Sequence, residues 1–213
     1  LTTIITAVLL ILEREHFELL LILILINAGT FLFSKKTASD FTKSAVNEIE
    51  TINRLKIEAT TDSLTHLLNR NGLEQALETA WAFCKRDKKN VGLLLVDIDY
   101  FKSYNDTFGH LEGDNILKQV ADSINTCFKR ETDIISRFGG EEFLIFLSGI
   151  NDDHVVEMAQ FLSSAITNLK IKATAENNPC DFLSVSIGVV TGIPQLHDLL
   201  NDFYIHVDKA LYH

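Results

Sequence analysis

Residues 137–147, RFGGEEFLIFL, set Glu141 and Glu142 directly behind Gly139 and Gly140 and ahead of a strongly apolar run. Upstream, VGLLLVDIDYFKSYND closes another apolar run on Asp97 and Asp99. In an extended strand alternate side chains share a face, so Asp97 and Asp99 point one way and Ile98 the other. DIISRF and EEFLIFL, separated by Gly139 and Gly140, read as a β-hairpin, because tight turns use a positive φ that glycine supplies at no steric cost. If the strand end and the hairpin tip are neighbours in one sheet, Asp97, Glu141 and Glu142 converge. Like charges so placed repel unless a cation lies between them. Oxygen ligands suit Mg²⁺, which keeps positions open for phosphate oxygens and favours transfer at phosphorus. The plainer alternative is that these acids are solvated turn residues.

The elements that must position them alternate along the chain. NRNGLEQALETAWAFCKR, HLEGDNILKQVADSINTCFKR (after a turn at Gly113) and DDHVVEMAQFLSSAITNLK have helical periodicity. VGLLLVDID and FLSVSIGVVTG read as strands, and the chain closes on a helix ending VDKALYH. Phe143, Leu144, Ile145, Phe146 and Leu147 have the composition of a central strand buried on both faces.

The 213 residues, 46% hydrophobic and 23% charged, fit one globular domain with an apolar appendage. A net charge of −10 argues against a basic groove for a nucleic acid polymer, while leaving phosphates accessible through a bound cation. Cys84, Cys127 and Cys180 are too scattered for a disulfide framework or a zinc pattern and read as reduced, mostly core residues. Residues 1–33 hold two apolar runs, LTTIITAVLLIL and FELLLILILINAGTFLF, around the polar EREH. Together they read as a membrane hairpin, with Lys35 and Lys36 marking the cytoplasmic side. The start at Leu1 points to a piece of a longer chain. Over 34–60 Phe41, Ala45, Ile49, Ile52, Leu55 and Ala59 recur at helical spacing. That stripe either packs on its own domain or forms a parallel two-chain connector.

The motifs DSLTHLLNR, DIDYFKSYND, FGHLEGD, RETD, RFGGEEF and VDKALYH, in this order, resemble the GGDEF family of diguanylate cyclases in its GGEEF variant. The resemblance covers about Thr61 to the last residue. It implies an α+β fold over 61–213 like the palm of nucleotide polymerases and cyclases, with a mainly antiparallel five-stranded sheet surrounded by helices. It further implies condensation of two GTP into cyclic di-GMP and two pyrophosphates across a homodimer, with the catalytic domain on the cytoplasmic side of the inner membrane. By position, Asp97, the Ile98 carbonyl, Glu141 and Glu142 would hold Mg²⁺, or Mn²⁺ in its place. Glu141 would accept the 3′-hydroxyl proton. Asn105 and Asp114 match the family's guanine readers, and an amide and a carboxylate do complement guanine's polar edge. Phe101 and Lys102 would approach the phosphates, Arg137 would sit at the hairpin tip, and His110 is either a loop residue or a substrate contact. Asp62 and Arg70 would tie the start of the domain together. Arg130 and Asp133 match the RxxD product-inhibition site, although an arginine three residues from an aspartate is often just a surface turn.

Two departures stand out. His66 replaces a usual glycine in LTHL, and after DKALY the family's further lysine and arginine are not in this sequence. The competing reading is a catalytically silent domain acting as a cyclic di-GMP receptor or dimerisation module.

Overall fold

The computed structural model describes residues 2–173 and 181–212. Cys180 lies outside them. Cys84 is buried, Cys127 is half-buried, and both are free thiols. The chain divides into two compact units, Leu1–Leu55 and Lys56–His213.

In the first unit a single helix, α1 (Thr2–Thr60), runs through EREH without a break and continues past the unit's end. The polar turn expected there is absent, which corrects the hairpin reading. Glu and Arg are good helix formers, Arg14 Nε pairs with Glu18 Oε1 one turn on (3.3 Å), and nothing between them breaks the ladder. His16–Thr60 contains a window of mean hydropathy 2.1 in which no residue is buried.

The second unit follows as α2 (Arg70–Asp87), β1 (Val91–Ile98), α3 (Phe101–Phe108), α4 (His110–Cys127), β2 (Ile134–Arg137), β3 (Glu142–Ser148), α5 (Asp152–Thr167), β4 (Val185–Gly192) and α6 (Leu200–Leu211). The strands form one antiparallel sheet in the order β2-β3-β1-β4. Four strands are present among the described residues, where the family resemblance implied five. At the β2 edge a fifth strand is reduced to one residue: Leu68 bridges Ser136, and Arg137 N donates to Leu68 O (2.8 Å). Between α5 and β4, among the described residues, a single bridge pairs Lys172 with Phe182.

Both faces of this sheet are covered, which is why β1 and β3 read as continuous apolar runs. Leu94, Val96, Ile98, Phe143 and Ile145 pack toward α4 and α5 on Ile116, Val120, Ile124, Val155 and Leu162. Leu93, Leu95, Leu144 and Phe146 pack toward α2 and α6 on Leu73, Leu77, Trp81 and Val207. The expected central strand Phe143–Leu147 is buried throughout and lies between β2 and β1. This double packing rigidly fixes the ends of β1 and β3, where the acids sit.

Candidate active site

Asp97 and Glu142 are direct cross-strand partners in the β1–β3 ladder. Their side chains therefore leave the same face with Cβ atoms on the order of 5 Å apart. Burial, then Glu141, Glu142 and Asp99, pushes the Asp97 carboxyl up to about 6. Burial, then Glu141 and Asp208, also raises Glu142. The three expected acids do converge, and a cation between them would relieve their mutual repulsion. Among the described residues no three acidic, imidazole or thiol groups form a finished ligand set. Mg²⁺ is commonly held by one or two protein carboxylates, with water and phosphate oxygens completing its shell. Asp97, Glu142, Glu141 and the Ile98 carbonyl could supply such a partial shell.

Asp99, expected only to share a face with Asp97, is bound by two serines at the start of β4. Ser184 Oγ (2.5 Å) and Ser186 Oγ (2.6 Å) both donate to its carboxylate, and Asp99 N donates to Ser184 O (3.1 Å). These bonds fasten the end of β1 to β4. Tyr100 then adopts φ 57°, and this left-handed residue turns the chain so that α3 starts at once at Phe101.

Phe101 and Asn105 stand one turn apart on α3; His110, Asp114 and Leu117 follow one face of α4. With Lys102, Arg137, Gly140 and Glu141 they line one cavity of about 470 Å³. The turn between the helices is at Gly109 (φ 86°), not at Gly113 as the sequence reading had it. Gly113 lies inside α4, where a Cβ would overlap Asn105 Oδ1. Glycine is there to let the Asn105 amide approach. Asn105 Oδ1 is itself buried without a hydrogen-bond partner, the kind of group a bound ligand satisfies.

The hairpin tip is also built differently from expectation. Phe138–Glu141 form the loop, and neither Gly139 nor Gly140 has a positive φ. Phe138 N (2.8 Å) and Gly139 N (3.2 Å) both donate to Glu142 O. A Cβ on Gly139 would crowd Glu142 Oε2, so this glycine makes room for the acid. Arg137 ties the loop down: Nη2 donates to Gly140 O (2.7 Å) and Nη1 to Asp62 Oδ1 (3.2 Å). Burial tends to raise Asp62, but bonds from Thr65 and the Arg137 charge outweigh it and hold the carboxyl below its usual range. Arg70 lies over the Phe138 ring (5.2 Å). His66 sits at φ 59° in the same turn, which explains why that position suits glycine.

Arg130 and Asp133 form a compact turn. Arg130 N donates to Asp133 Oδ2 (3.0 Å), and Arg130 Nη2 donates to Ser148 O (2.8 Å). The Asp133 side chain is only 3% exposed, against 49% for Arg130. Burial raises Asp133, while the Arg130 amide and charge pull it back.

Asp208 and Tyr212, one turn apart near the end of α6, were missed by the sequence reading. Asp208 contributes to the rise of Glu142; burial first, then Asp97, Glu142, Asp208 and Glu141, raises the Tyr212 hydroxyl. The motif VDKALYH held both, and their spacing of four on one helix was the available signal.

The model of the family described as diguanylate cyclase, GGDEF domain, matches residues 59–213. The chain belongs to the GGDEF family. It is 31% identical over 159 residues to the probable diguanylate cyclase DgcC of Escherichia coli, covering 75% of this chain but only 41% of DgcC. The coiled coil and GGDEF domain of DgcB from Caulobacter crescentus, solved in complex with c-di-GMP, superposes with a TM-score of 0.75 at 26% identity, over 84% of this chain and 92% of that one. An active GGEEF domain of a Vibrio cholerae diguanylate cyclase gives a TM-score of 0.60 at 27% identity, over 68% of this chain and 89% of that one.

Proposed function

We propose that this chain is a diguanylate cyclase that condenses two GTP into cyclic di-GMP and two pyrophosphates across a pair of facing domains. The observation that carries the reading is the single cavity shared by Asn105, Asp114, Lys102 and Glu141, with its buried, unpartnered Asn105 carbonyl. Asn105 and Asp114 would hold the guanine edge, and His110 and Phe101 would bound the nucleotide. The Lys102 ammonium would offset charge developing on the phosphates. Mg²⁺ or Mn²⁺, held by Asp97, the Ile98 carbonyl, Glu141 and Glu142, would neutralise the triphosphate and favour departure of pyrophosphate. Glu141 would take the proton as the 3′-oxygen of one GTP bonds to the α-phosphorus of the other and the bond to pyrophosphate breaks. Each domain supplies one nucleotide, so the two-fold product requires a homodimer. Arg137 is a positioning residue in this scheme, because its own bonds go to Asp62 and Gly140.

The apolar part of α1 would anchor the protein in the inner membrane with the GGDEF domain in the cytoplasm, a reading supported by its hydropathy and by Lys35 and Lys36 beyond it. Product feedback would act through Arg130, whose half-exposed guanidinium offers a fork of donors, and Asp133, which would accept from guanine once the ligand reaches its buried carboxylate.

The test is incubation of the full chain with GTP or ATP and Mg²⁺, followed by mass spectrometry. Cyclic di-GMP from GTP alone is expected. Tight cyclic di-GMP binding without any turnover would instead favour the silent receptor.

A further inference from the structure

A second cavity, of about 680 Å³, shares no lining residue with the nucleotide cavity. One stripe of α2, Glu74, Glu78, Trp81 and Lys85, forms one wall, and Leu196, Leu200 and Tyr204 form the other. Its size and apolar lining are those of a small-molecule pocket. The charges at its mouth decide what fits. Glu74 is paired with Arg70 (3.3 Å), Lys85 Nζ donates to Asp198 O (2.9 Å), and Arg86 is paired with Asp87 (2.7 Å). Among the described residues Glu78 alone of the lining charges has no hydrogen bond or ion pair. It stands one turn from the Trp81 indole, whose face favours a cation. Lys85 lies two turns further along, about 10 Å away on the helix axis, too far to neutralise Glu78.

We propose that this cavity binds a small amine with an apolar or aromatic body, its protonated nitrogen on Glu78 and its body against Trp81, Leu196, Leu200 and Tyr204. An occupant would reach the catalytic hairpin. Tyr204 stacks on Phe138 (5.9 Å between centroids), the residue before Gly139. The Tyr204 hydroxyl is buried without a hydrogen-bond partner, so moving this ring sacrifices no bond.

Trp81 is the chain's single tryptophan, so its emission reports the cavity directly. Titrating the full chain with 2-phenylethylamine should give a saturable change in emission. The anion of similar shape, 3-phenylpropionate, should bind at least about tenfold more weakly, and Glu78→Gln should weaken the amine by about tenfold. Leu196→Ser, at a side chain 80% exposed and therefore tolerant of change, should also weaken it by removing an apolar contact without adding charge. Equal binding of amine and acid, an unchanged Glu78→Gln titration, or no saturation would overturn the site. A second readout rests on the cyclase reading: saturating amine should change GTP turnover at least twofold in wild type but not in Glu78→Gln. Fluorescence binding needs no turnover, so failure of the cyclase reading and failure of this site are separable. Binding with turnover unchanged in an active enzyme would overturn the link to the hairpin.

Discussion

At Asp97 the structure concentrates charge where burial already disfavours it. Its carboxyl, pushed up to about 6 by burial first and then by Glu141, Glu142 and Asp99, holds its proton more tightly folded than unfolded, where about 3.9 is usual. Its contribution to stability is therefore favourable at and below about pH 4 and is lost as pH rises through about 6. Without metal, burial and repulsion together cost at most about 2–3 kcal/mol at neutral pH, and less once solvent screening of this half-buried group is counted. A dication should reverse that loss. The rise in melting temperature on replacing EDTA by Mg²⁺ should be larger at pH 7.5 than at pH 5, and equal shifts would remove Asp97 from the metal site. Glu142→Gln removes one charge at nearly constant shape. It should leave melting in EDTA unchanged or higher while lowering turnover by about 100-fold or more, and wild-type turnover would refute the assignment. Arg130→Ala tests the distal turn. Initial velocity should stay near wild type, linear accumulation should last longer, and calorimetry without GTP should show weaker cyclic di-GMP binding. If the mutant binds as tightly as wild type, the bonds of Arg130 to Ser148 and Asp133 are its whole role.

Among the elements, the α3–α4 corner would set the proposed guanine reader. Gly113→Ala would drive a methyl group into Asn105 Oδ1, and α4 is anchored by Ile116, Val120 and Ile124 in the core, so the Asn105 amide is what must move. The expected result is a rise in KM for GTP of about tenfold or more, with melting changed by less than about 1 kcal/mol. An unchanged KM would mean Asn105 does not touch the base. This role was not legible in FGHLEGD, because a glycine reads as a turn when only neighbours in sequence are considered. The same limit applies to Gly139, whose partner is the Glu142 carboxylate rather than a left-handed turn. What was legible followed from periodicity: the buried β1 and β3 runs, the helices between them, and the meeting of Asp97 with Glu142 that antiparallel pairing then fixed. Contacts between distant segments, Asp62 with Arg137 or Asp208 with Glu142, leave no local pattern, and charge alone misread EREH as a turn where helix propensity prevails.

For the whole molecule, the proposed two-nucleotide reaction would need two GGDEF domains, and α1 carries what could bring them together. Phe41, Ile49, Ile52 and Leu55 lie along one stripe of that helix, each more than half exposed. In a parallel pair such a stripe is covered by its copy, which raises the effective concentration of one catalytic unit near the other. The compact unit Lys56–His213 lacks most of that stripe. A fragment beginning near Glu58 should therefore show specific activity that climbs with protein concentration from nanomolar to micromolar, as pairing becomes bimolecular. The full chain should show a flatter dependence that begins at lower concentration. Placing Glu at both Ile49 and Ile52 should make the full chain behave like the fragment, since two buried charges in a two-stranded seam oppose its closure. The measurement is initial velocity divided by protein concentration over that range. Identical flat profiles for fragment, mutant and full chain would show that pairing does not run through α1.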